Sequence, residues 1–273
     1  MDTFALGDSI FGLSNLWAPS PDQAGLQQYA VLNVRASALT PSGFSHDQVV
    51  TLPVNLTTAW IALFGEAGLG LRSPFSSKDG AGDAAPQTVI VLGAGASNGK
   101  FAVQLASLAG VRNIIAVAGS SSKDDLLSMG ATRVVDRQLS IDDIAKEIRG
   151  LVGEQDATHI YHCHGFDYKL DIALLPTETK SFLQSVHPVD DEEGEKLKAA
   201  RPLCEAAMVE GSNVGLAPYV DEFWAAVPKW LSKGKVRPGS YRVIEGLEKV
   251  DEINDGLDGY RDGGKGAQFV VHV

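Results

Sequence analysis

The chain has 273 residues, of which 44% are hydrophobic and 21% are charged, and its formal net charge is −11. This composition supports one large domain, or a domain with a smaller companion, and excludes a largely disordered chain. The negative charge disfavours nucleic acid and anionic membranes as partners, and no apolar run reaches the roughly 18 residues of a membrane span.

The two cysteines are too few for a disulfide framework or a four-cysteine zinc site. The first residues carry no basic segment of the kind that opens a secretory signal. We therefore expect a cytoplasmic protein.

The first 60 residues predict β-structure, from apolar or alternating runs at Ile10–Gly12 and at 28–39 that are separated by prolines. A helix is predicted over 56–69, with Asn55 or Thr57 as its cap. A polar loop at 70–87 follows it.

From residue 88 onward, predicted strands and helices alternate. The strands are expected at 88–92, 114–117, 133–135, 158–163, 180–186, 202–209 and 267–272. The helices are expected at 101–109, 124–129, 141–152, 219–233 and 247–260. This alternation predicts an α/β fold, a Rossmann-type doubly wound parallel sheet with helices on both faces.

The stretch at 88–99 is the most informative part of the chain. Four apolar residues end at Gly93-Ala-Gly-Ala-Ser-Asn-Gly99, and a helical pattern follows. Asn98 stands where the strict Gly-x-Gly-x-x-Gly spacing needs its third glycine. Small residues let backbone N–H groups approach a pyrophosphate at a helix N-terminus. We therefore expect a dinucleotide to bind at this turn.

The end of the second predicted strand of this region distinguishes NAD from NADP. Ser120, Ser121, Ser122 and Lys123 lie about 20 residues beyond the glycine turn, where an acid would bind a ribose 2′-hydroxyl. Hydroxyls and an ammonium suit a 2′-phosphate, so the segment predicts NADPH. The alternative is a serine-rich turn whose lysine faces solvent. Arg137 is expected beside the adenine or the 2′-phosphate, unless it is simply exposed.

Four segments carry a resemblance to a known family. They are Gly7-Asp-Ser-Ile-Phe-Gly12, Leu52-Pro-Val-Asn-Leu-Thr-Thr-Ala59, the turn at 93–99 with Gln104-Leu-Ala106, and the tail motifs Gly246-Leu-Glu248 and Gly256-Leu257. The chain resembles the medium-chain dehydrogenase/reductase superfamily, and within it the zinc-independent, trans-acting enoyl reductases of fungal polyketide pathways.

The resemblance implies a Rossmann NADP-binding domain at 61–239 and a truncated GroES-like β domain made of 1–60 and 240–273. It implies that NADPH reduces an α,β-unsaturated thioester or ketone, with hydride added to the β-carbon and a proton to the α-carbon. The substrate would be a small molecule or carrier-bound, a polyketide synthase would be the partner, and homodimers are possible.

The resemblance also assigns the site residues. Those expected at the pyrophosphate are Ala96, Ser97, Asn98, Gly99 and Lys100. Those expected at the 2′-phosphate are Ser120, Ser121, Ser122 and Lys123, with Arg137 at the adenosine. Val186 and His187 would border the nicotinamide, and Thr58 would line the substrate side.

In the family, a segment that precedes the Gly-Asp strand holds residues near the reacting carbons, and we expect this segment to be missing here. No general acid is therefore assigned. The alternative function is that of a redox-inactive, reductase-like protein, either a cyclase or isomerase or a partner of a synthase.

Other motifs in the chain suggest alternative sites. Tyr161-His-Cys-His164 suggests a metal site, but alternation along a strand would separate its ligands. Gly95-Ala-Ser-Asn-Gly99 matches a hydrolase elbow, with Asp171 and His187 as the best partners for Ser97. The proton-donor candidates are His164, His187, Tyr161, Tyr168 and Tyr219.

Two surface features complete the predictions. The acidic run at 190–195 is expected to be a solvated loop or the start of a helix rather than a cation site. The helix with Trp224 and Trp230 is expected to pack in the core, with a dimer surface as the alternative.

Overall fold

The computed structural model describes residues 4–14, 20–75, 88–153, 156–261 and 268–273. Most of the loop predicted at 70–87 lies outside the described residues. The chain divides into two compact units, one made of 1–57 and 212–273 and the other of 58–211.

The described elements alternate through most of the chain. The strands are β1 Ile10–Gly12, β2 Ser37–Leu39, β3 Thr88–Leu92, β4 Asn113–Ala118, β5 Arg133–Asp136, β6 His159–His162, β7 Ser181–Ser185, β8 Cys204–Met208, β9 Tyr241–Glu245 and β10 Gln268–His272. The helices are α1 His46–Val49, α2 Pro53–Phe64, α3 Ser97–Leu108, α4 Lys123–Ser128, α5 Ile141–Val152, α6 Lys169–Leu174, α7 Glu192–Ala200, α8 Val220–Ser232 and α9 Val250–Arg261.

The unit of 58–211 is built on a six-stranded parallel sheet in the order β5-β4-β3-β6-β7-β8. Leu92, at the end of β3, pairs with Val117 of β4 and with His162 of β6. The strand order therefore reverses between β3 and β6. The predicted Rossmann-type sheet is confirmed.

Alternating apolar side chains cover both faces of this sheet. Ile90 and Leu92 of β3 join a buried cluster with Ile144 and Ile148 of α5 and Leu197 of α7. Val89 and Val91 are fully buried too, and period-2 alternation directs them to the opposite face. A strand that is buried on both faces has a continuous apolar run as its sequence, and β3 could therefore be predicted from the sequence.

The unit of 1–57 and 212–273 has a different character. Its described strands form two separate pairs, β1 antiparallel to β2 and β9 parallel to β10. Trp224 of α8 contacts Phe11 of β1 edge-on, with ring centroids 6.1 Å apart. These contacts place α8 in this unit, whereas the predicted Rossmann boundary at 239 had included it. The GroES-like character of the unit stays a prediction.

Some predicted elements differ from the structure. The strand expected across 28–39 is reduced to β2, and Tyr29 and Val31 are exposed. The Asn33 side chain accepts a hydrogen bond from the Arg35 N–H and starts a short 3₁₀ turn instead. Such local side-chain bonds compete with strand pairing.

The predicted helix at 56–69 is shifted toward the N-terminus. Helix α2 begins at Pro53 and ends at Phe64. Proline suits a first helical position because its missing N–H needs no partner there. Helices α1, α6 and α7 and strand β9 were not predicted as elements. The acidic run does begin a helix, α7, in which the Asp191 side chain caps the N-terminus by accepting a hydrogen bond from the Gly194 N–H. In the part of the chain that is described, no helix has both the length and the apolar character needed to cross a bilayer.

Candidate functional site

The carboxyl ends of β3, β4, β6 and β7 form the edge where the sequence-predicted residues meet. In open α/β sheets, ligands bind outside these ends at the point where the strand order reverses. Here that point lies between β3 and β6. The turns after these four strands are therefore the candidate site.

The turn between β3 and α3 has no room for side chains at two glycines. Gly93 has φ +75°, and a Cβ there would lie 2.4 Å from the Cβ of His164. A Cβ on Gly99 would lie 2.5 Å from the Ala94 Cα and 2.7 Å from the Gly93 carbonyl oxygen. Both glycines are therefore required to bring the turn close to the loop after β6 and to the start of α3.

The N-terminus of α3 is open to a ligand. Its N-cap, Ala96, offers no side-chain acceptor, so the first N–H groups of the helix have no intrahelical or capping partner. The amide oxygen of Asn98 is buried and has no hydrogen-bond partner among the described residues. Helix-terminal N–H groups beside a small-residue turn fit a pyrophosphate. A nicotinamide nucleotide thus suits the residues present.

Lys100 differs from the other predicted pyrophosphate contacts. Its Nζ lies 2.8 Å from Asp125 Oδ2 of α4, and the lysine side chain is only partly exposed. The ion pair ties the first turn of α3 to α4. Ala96, Ser97, Asn98 and Gly99 occupy the cap and first turn themselves.

The turn after β4 brings the predicted 2′-phosphate residues together. Ser120–Ser122 form a short 3₁₀ helix that leads directly into α4, and Ser120, Ser121 and Lys123 are exposed. The hydroxyl of Ser122 faces the β3–α3 turn, since a Cβ on Gly95 would lie 3.2 Å from it. Arg137 reaches the turn after β4, because a Cβ on Gly119 would lie 3.5 Å from the Nε of Arg137.

The loops after β6 and β7 are joined by a buried polar network. Nδ1 of His162 lies 3.0 Å from Oδ2 of Asp171, and both side chains are buried. The Tyr168 hydroxyl donates to the Pro188 carbonyl at 2.8 Å and lies 3.0 Å from the Ser185 hydroxyl. The sequence prediction missed this network, and it paired Asp171 with His187 instead.

The predicted nicotinamide residues lie on this network. The Val186 N–H donates to the His162 carbonyl at 3.1 Å, and the His187 N–H donates to the Ser185 hydroxyl at 3.0 Å. The ring of His187 packs on Phe166 with centroids 4.3 Å apart. The backbone of the predicted nicotinamide border is thus held by buried groups.

Burial and neighbouring charges separate the two histidines electrostatically. Burial opposes the charged form of His162, but the hydrogen bond and charge of Asp171 outweigh it, so the pKa of His162 is raised. Burial, followed by the charges of His162 and His164, lowers the pKa of His187. At neutral pH, His187 is therefore a neutral imidazole, which weakens its case as a proton donor.

The other predicted candidates have different surroundings. Thr58 is buried in α2. Burial raises the pKa of Tyr161 well above its usual value, and its hydroxyl has no hydrogen-bond partner in the described part of the chain. Burial also raises the pKa of Tyr168, whose hydroxyl is held by the Pro188 carbonyl. Tyr219 is the N-cap of α8 in the other unit.

The hydrolase alternative gains no support from the geometry. Asp171 binds His162 rather than His187, and no described histidine hydrogen-bonds the Ser97 hydroxyl. The Ser-His-Asp chain that would activate Ser97 is therefore not formed by these residues.

Comparison with known proteins agrees with this fold. Residues 99–226 match the family described as zinc-binding dehydrogenase. The enoyl reductase component lovC of the lovastatin nonaketide synthase of Aspergillus terreus is 33% identical over 132 residues, which are 48% of this chain and 36% of lovC. The trans-enoyl reductase tazE of Aspergillus terreus is 28% identical over 158 residues, 58% of this chain and 48% of tazE.

A solved structure, the CurK enoyl reductase, superposes with a TM-score of 0.65 at 20% identity, covering 88% of this chain and 66% of CurK. This likeness establishes the fold alone. The chain spans less than half the length of the curated relatives it matches.

The family description includes zinc, and the described residues do not fit it. They contain no group of three or more His, Cys, Asp or Glu side chains placed to hold a metal ion. His162, the central candidate of the Tyr161–His164 motif, is occupied by Asp171 and by the Gly165 carbonyl. Burial raises the pKa of the Cys163 thiol well above its usual value, which disfavours the thiolate that zinc needs.

Proposed function

We propose that this chain is a member of the medium-chain dehydrogenase/reductase superfamily that binds NADPH and reduces the carbon–carbon double bond of an α,β-unsaturated thioester or ketone. Two relatives, lovC and tazE, are named as enoyl reductases. The substrate class is carried over from those names and from the motif resemblance. The choice of NADPH rests on this chain's own residues.

The observation that carries the proposal is the turn after β4. Lys123 directly follows the three serines, Arg137 Nε would lie 3.5 Å from a Cβ on Gly119 of the same turn, and the turn has no acid before Asp124. These groups can donate charge-assisted hydrogen bonds to a 2′-phosphate.

The remaining predicted contacts follow from the same placement. We propose that the N–H groups of Ser97, Asn98 and Gly99 bind the pyrophosphate beside Ala96, whose own N–H donates to the Gly93 carbonyl, with Lys100 held nearby by Asp125. Val186 and His187 would border the nicotinamide, which supplies the hydride when the cofactor is bound. Thr58 is proposed for the substrate side. A neutral His187 could orient a carbonyl oxygen by donating its single N–H.

The source of the substrate completes the proposal. The relatives' names suggest a substrate carried by a polyketide synthase, which would then be the partner. We also propose that the chain forms a homodimer.

The test measures NADPH oxidation with a crotonyl thioester by the loss of absorbance at 340 nm, together with cofactor dissociation constants by calorimetry. Lys123→Ala should weaken NADPH about tenfold, because one charge-assisted hydrogen bond is worth about 1.5–3 kcal/mol, and should leave NADH unchanged. Lys146→Ala is the matched control, an exposed lysine on α5 whose loss should change neither constant.

The two arms separate binding from chemistry. Equal weakening of NADPH and NADH in Lys123→Ala would overturn the 2′-phosphate assignment. Tight NADPH binding with product formed and no NADPH consumed would instead favour the redox-inactive alternative.

A further inference from the structure

Both ring nitrogens of His162 face oxygen acceptors. Nδ1 lies 3.0 Å from the Asp171 carboxylate, and Nε2 lies 3.3 Å from the Gly165 carbonyl. A carbonyl oxygen can only accept, and a carboxylate at neutral pH does the same. Two N–H donors satisfy both contacts, and a neutral imidazole has only one. The geometry therefore calls for an imidazolium.

The carboxylate partner has little else to compensate it. Asp171 is fully buried, and its second oxygen, Oδ1, has no hydrogen-bond partner among the described residues. A buried charge is tolerated when it is paired, and removing one partner is strongly unfavourable. Asp171 thus depends on the positive charge of His162.

The Gly165 contact links this charge to the loop after β6. Gly165 has φ +92°, a conformation that side-chain-bearing residues rarely adopt. The next residue, Phe166, is largely exposed and packs against His187. The His162 ring also lies against Tyr168, with centroids 5.0 Å apart. One imidazolium therefore contacts the 163–168 loop at its middle, Gly165, and at its end, Tyr168.

We propose that His162 and Asp171 form a positioning pair that, as an imidazolium and a carboxylate, holds the 163–168 loop and His187 in place for the nicotinamide half of the cofactor. The inference rests on the proposed function for the identity of the ligand. Neither residue touches the ligand itself; they act through Gly165, Phe166 and His187. The adenosine half of the site does not depend on this pair.

The pair makes cofactor binding pH-dependent in one direction. The charged or titratable groups around His162 are Asp171 on α6, Asp167 and Tyr168 in the loop before α6, and His187 after β7, which His164 also faces. Because the folded pKa of His162 is raised above 6.5, its contribution is complete below that value and is lost as the pH rises through the folded pKa.

The first experiment uses the unaltered protein. Titration of ¹⁵N-labelled histidines by NMR should show His162 with both N–H groups at pH 7, where His187 is neutral. The dissociation constant of NADPH should rise about tenfold above the His162 pKa, as expected for the loss of one charge-assisted hydrogen bond. The constant of 2′,5′-ADP, which lacks the nicotinamide, should stay level between pH 6.5 and 9, since its 2′-phosphate titrates near 6.

The second experiment uses Asp171→Asn, which keeps the shape and removes the charge. It should make His162 neutral at pH 7, weaken NADPH about tenfold, flatten the pH profile and leave 2′,5′-ADP unchanged. The matched control is Asp142→Asn, an exposed carboxylate in the first turn of α5, for which NADPH binding should change less than twofold.

The possible results are distinct. A neutral His162 at pH 7, or parallel losses of NADPH and 2′,5′-ADP in Asp171→Asn, would overturn the positioning pair while leaving the proposed function intact. Failure of both ligands to bind the unaltered protein at any pH would overturn the proposed function and this inference with it.

Discussion

The two halves of the proposed cofactor site are built in opposite ways. The adenosine half, after β4, presents exposed hydroxyls and cations on a short turn. The nicotinamide half, after β6 and β7, is fixed by the buried groups His162, Asp171, Tyr168 and Ser185. In the proposed site, solvent-exposed side chains of the adenosine half select the ligand. In the nicotinamide half, buried side chains fix the position of the loop backbone.

This difference indicates how the two tasks are divided. Recognition of a phosphate tolerates mobile side chains, because charge-assisted bonds form from several directions. Hydride transfer needs the reacting atoms within a few tenths of an ångström, so the surrounding loops must be fixed in advance. Buried hydrogen bonds such as those of His162 to Asp171 and of Tyr168 to Pro188 restrict the positions that these loops can take.

The largest expected effect lies between the halves, at Gly99. In Gly99→Ala, the new Cβ would lie 2.5 Å from the Ala94 Cα, which is backbone and cannot move alone. We expect a loss of about 2–4 kcal/mol of stability and of most NADPH affinity, measured by thermal unfolding and calorimetry.

The matched control is Gly150→Ala in α5, where a Cβ meets nothing within 4 Å. It should stabilise the protein by about 0.5–1 kcal/mol, since alanine is the better helix former. If Gly99→Ala has the same melting temperature as the unaltered protein, the close approach of the β3–α3 turn to the start of α3 is wrong.

A smaller effect confined to the adenosine half is expected from Ser120→Asp. A carboxylate directly after β4 and Gly119 would repel a 2′-phosphate and accept a hydrogen bond from a 2′-hydroxyl. The ratio of NADH to NADPH affinity should rise about hundredfold, because like charges in contact cost several kcal/mol. An unchanged ratio of the two affinities would show that the 2′-phosphate does not bind at this turn. Binding of nicotinamide mononucleotide should not respond.

The smallest effect is expected in the nicotinamide half. Tyr168→Phe removes the hydroxyl that donates to the Pro188 carbonyl and contacts the Ser185 hydroxyl, at a cost of about 1–2 kcal/mol of stability. NADPH should bind a few-fold more weakly and 2′,5′-ADP should not change. Tyr161→Phe is the matched control, because the Tyr161 hydroxyl is buried without a partner among the described residues and its removal should not destabilise. Equal melting temperatures for the two variants would contradict the network.

The same contrast explains what the sequence could predict. The elements β3, β4 and α5 were found because an apolar run or a 3.6-residue period is a local signal. The turn residues from Ser120 to Lys123 could be singled out because their spacing from Gly99 is local as well, and their role stays a prediction.

The parts that were missed depend on contacts that no local pattern contains. His162 and Asp171 meet only because α6 packs back onto the sheet beside β6. The sequence analysis paired Asp171 with His187, and the fold pairs it with His162 instead. Tyr29 and Val31 belong to an apolar pattern that predicts a strand, but both are exposed in the structure. The Asn33 side chain accepts a hydrogen bond from the Arg35 N–H and starts a 3₁₀ turn there instead.

Recognition of a 2′-phosphate by the turn after β4 is the step on which the proposed function depends most. It is tested by the pair of dissociation constants for NADPH and NADH on the unaltered chain, determined by calorimetry in one buffer at pH 7. We expect NADPH to bind at least about tenfold more tightly, because one or more charge-assisted hydrogen bonds form to the phosphate. Equal affinities, or tighter binding of NADH, would contradict it.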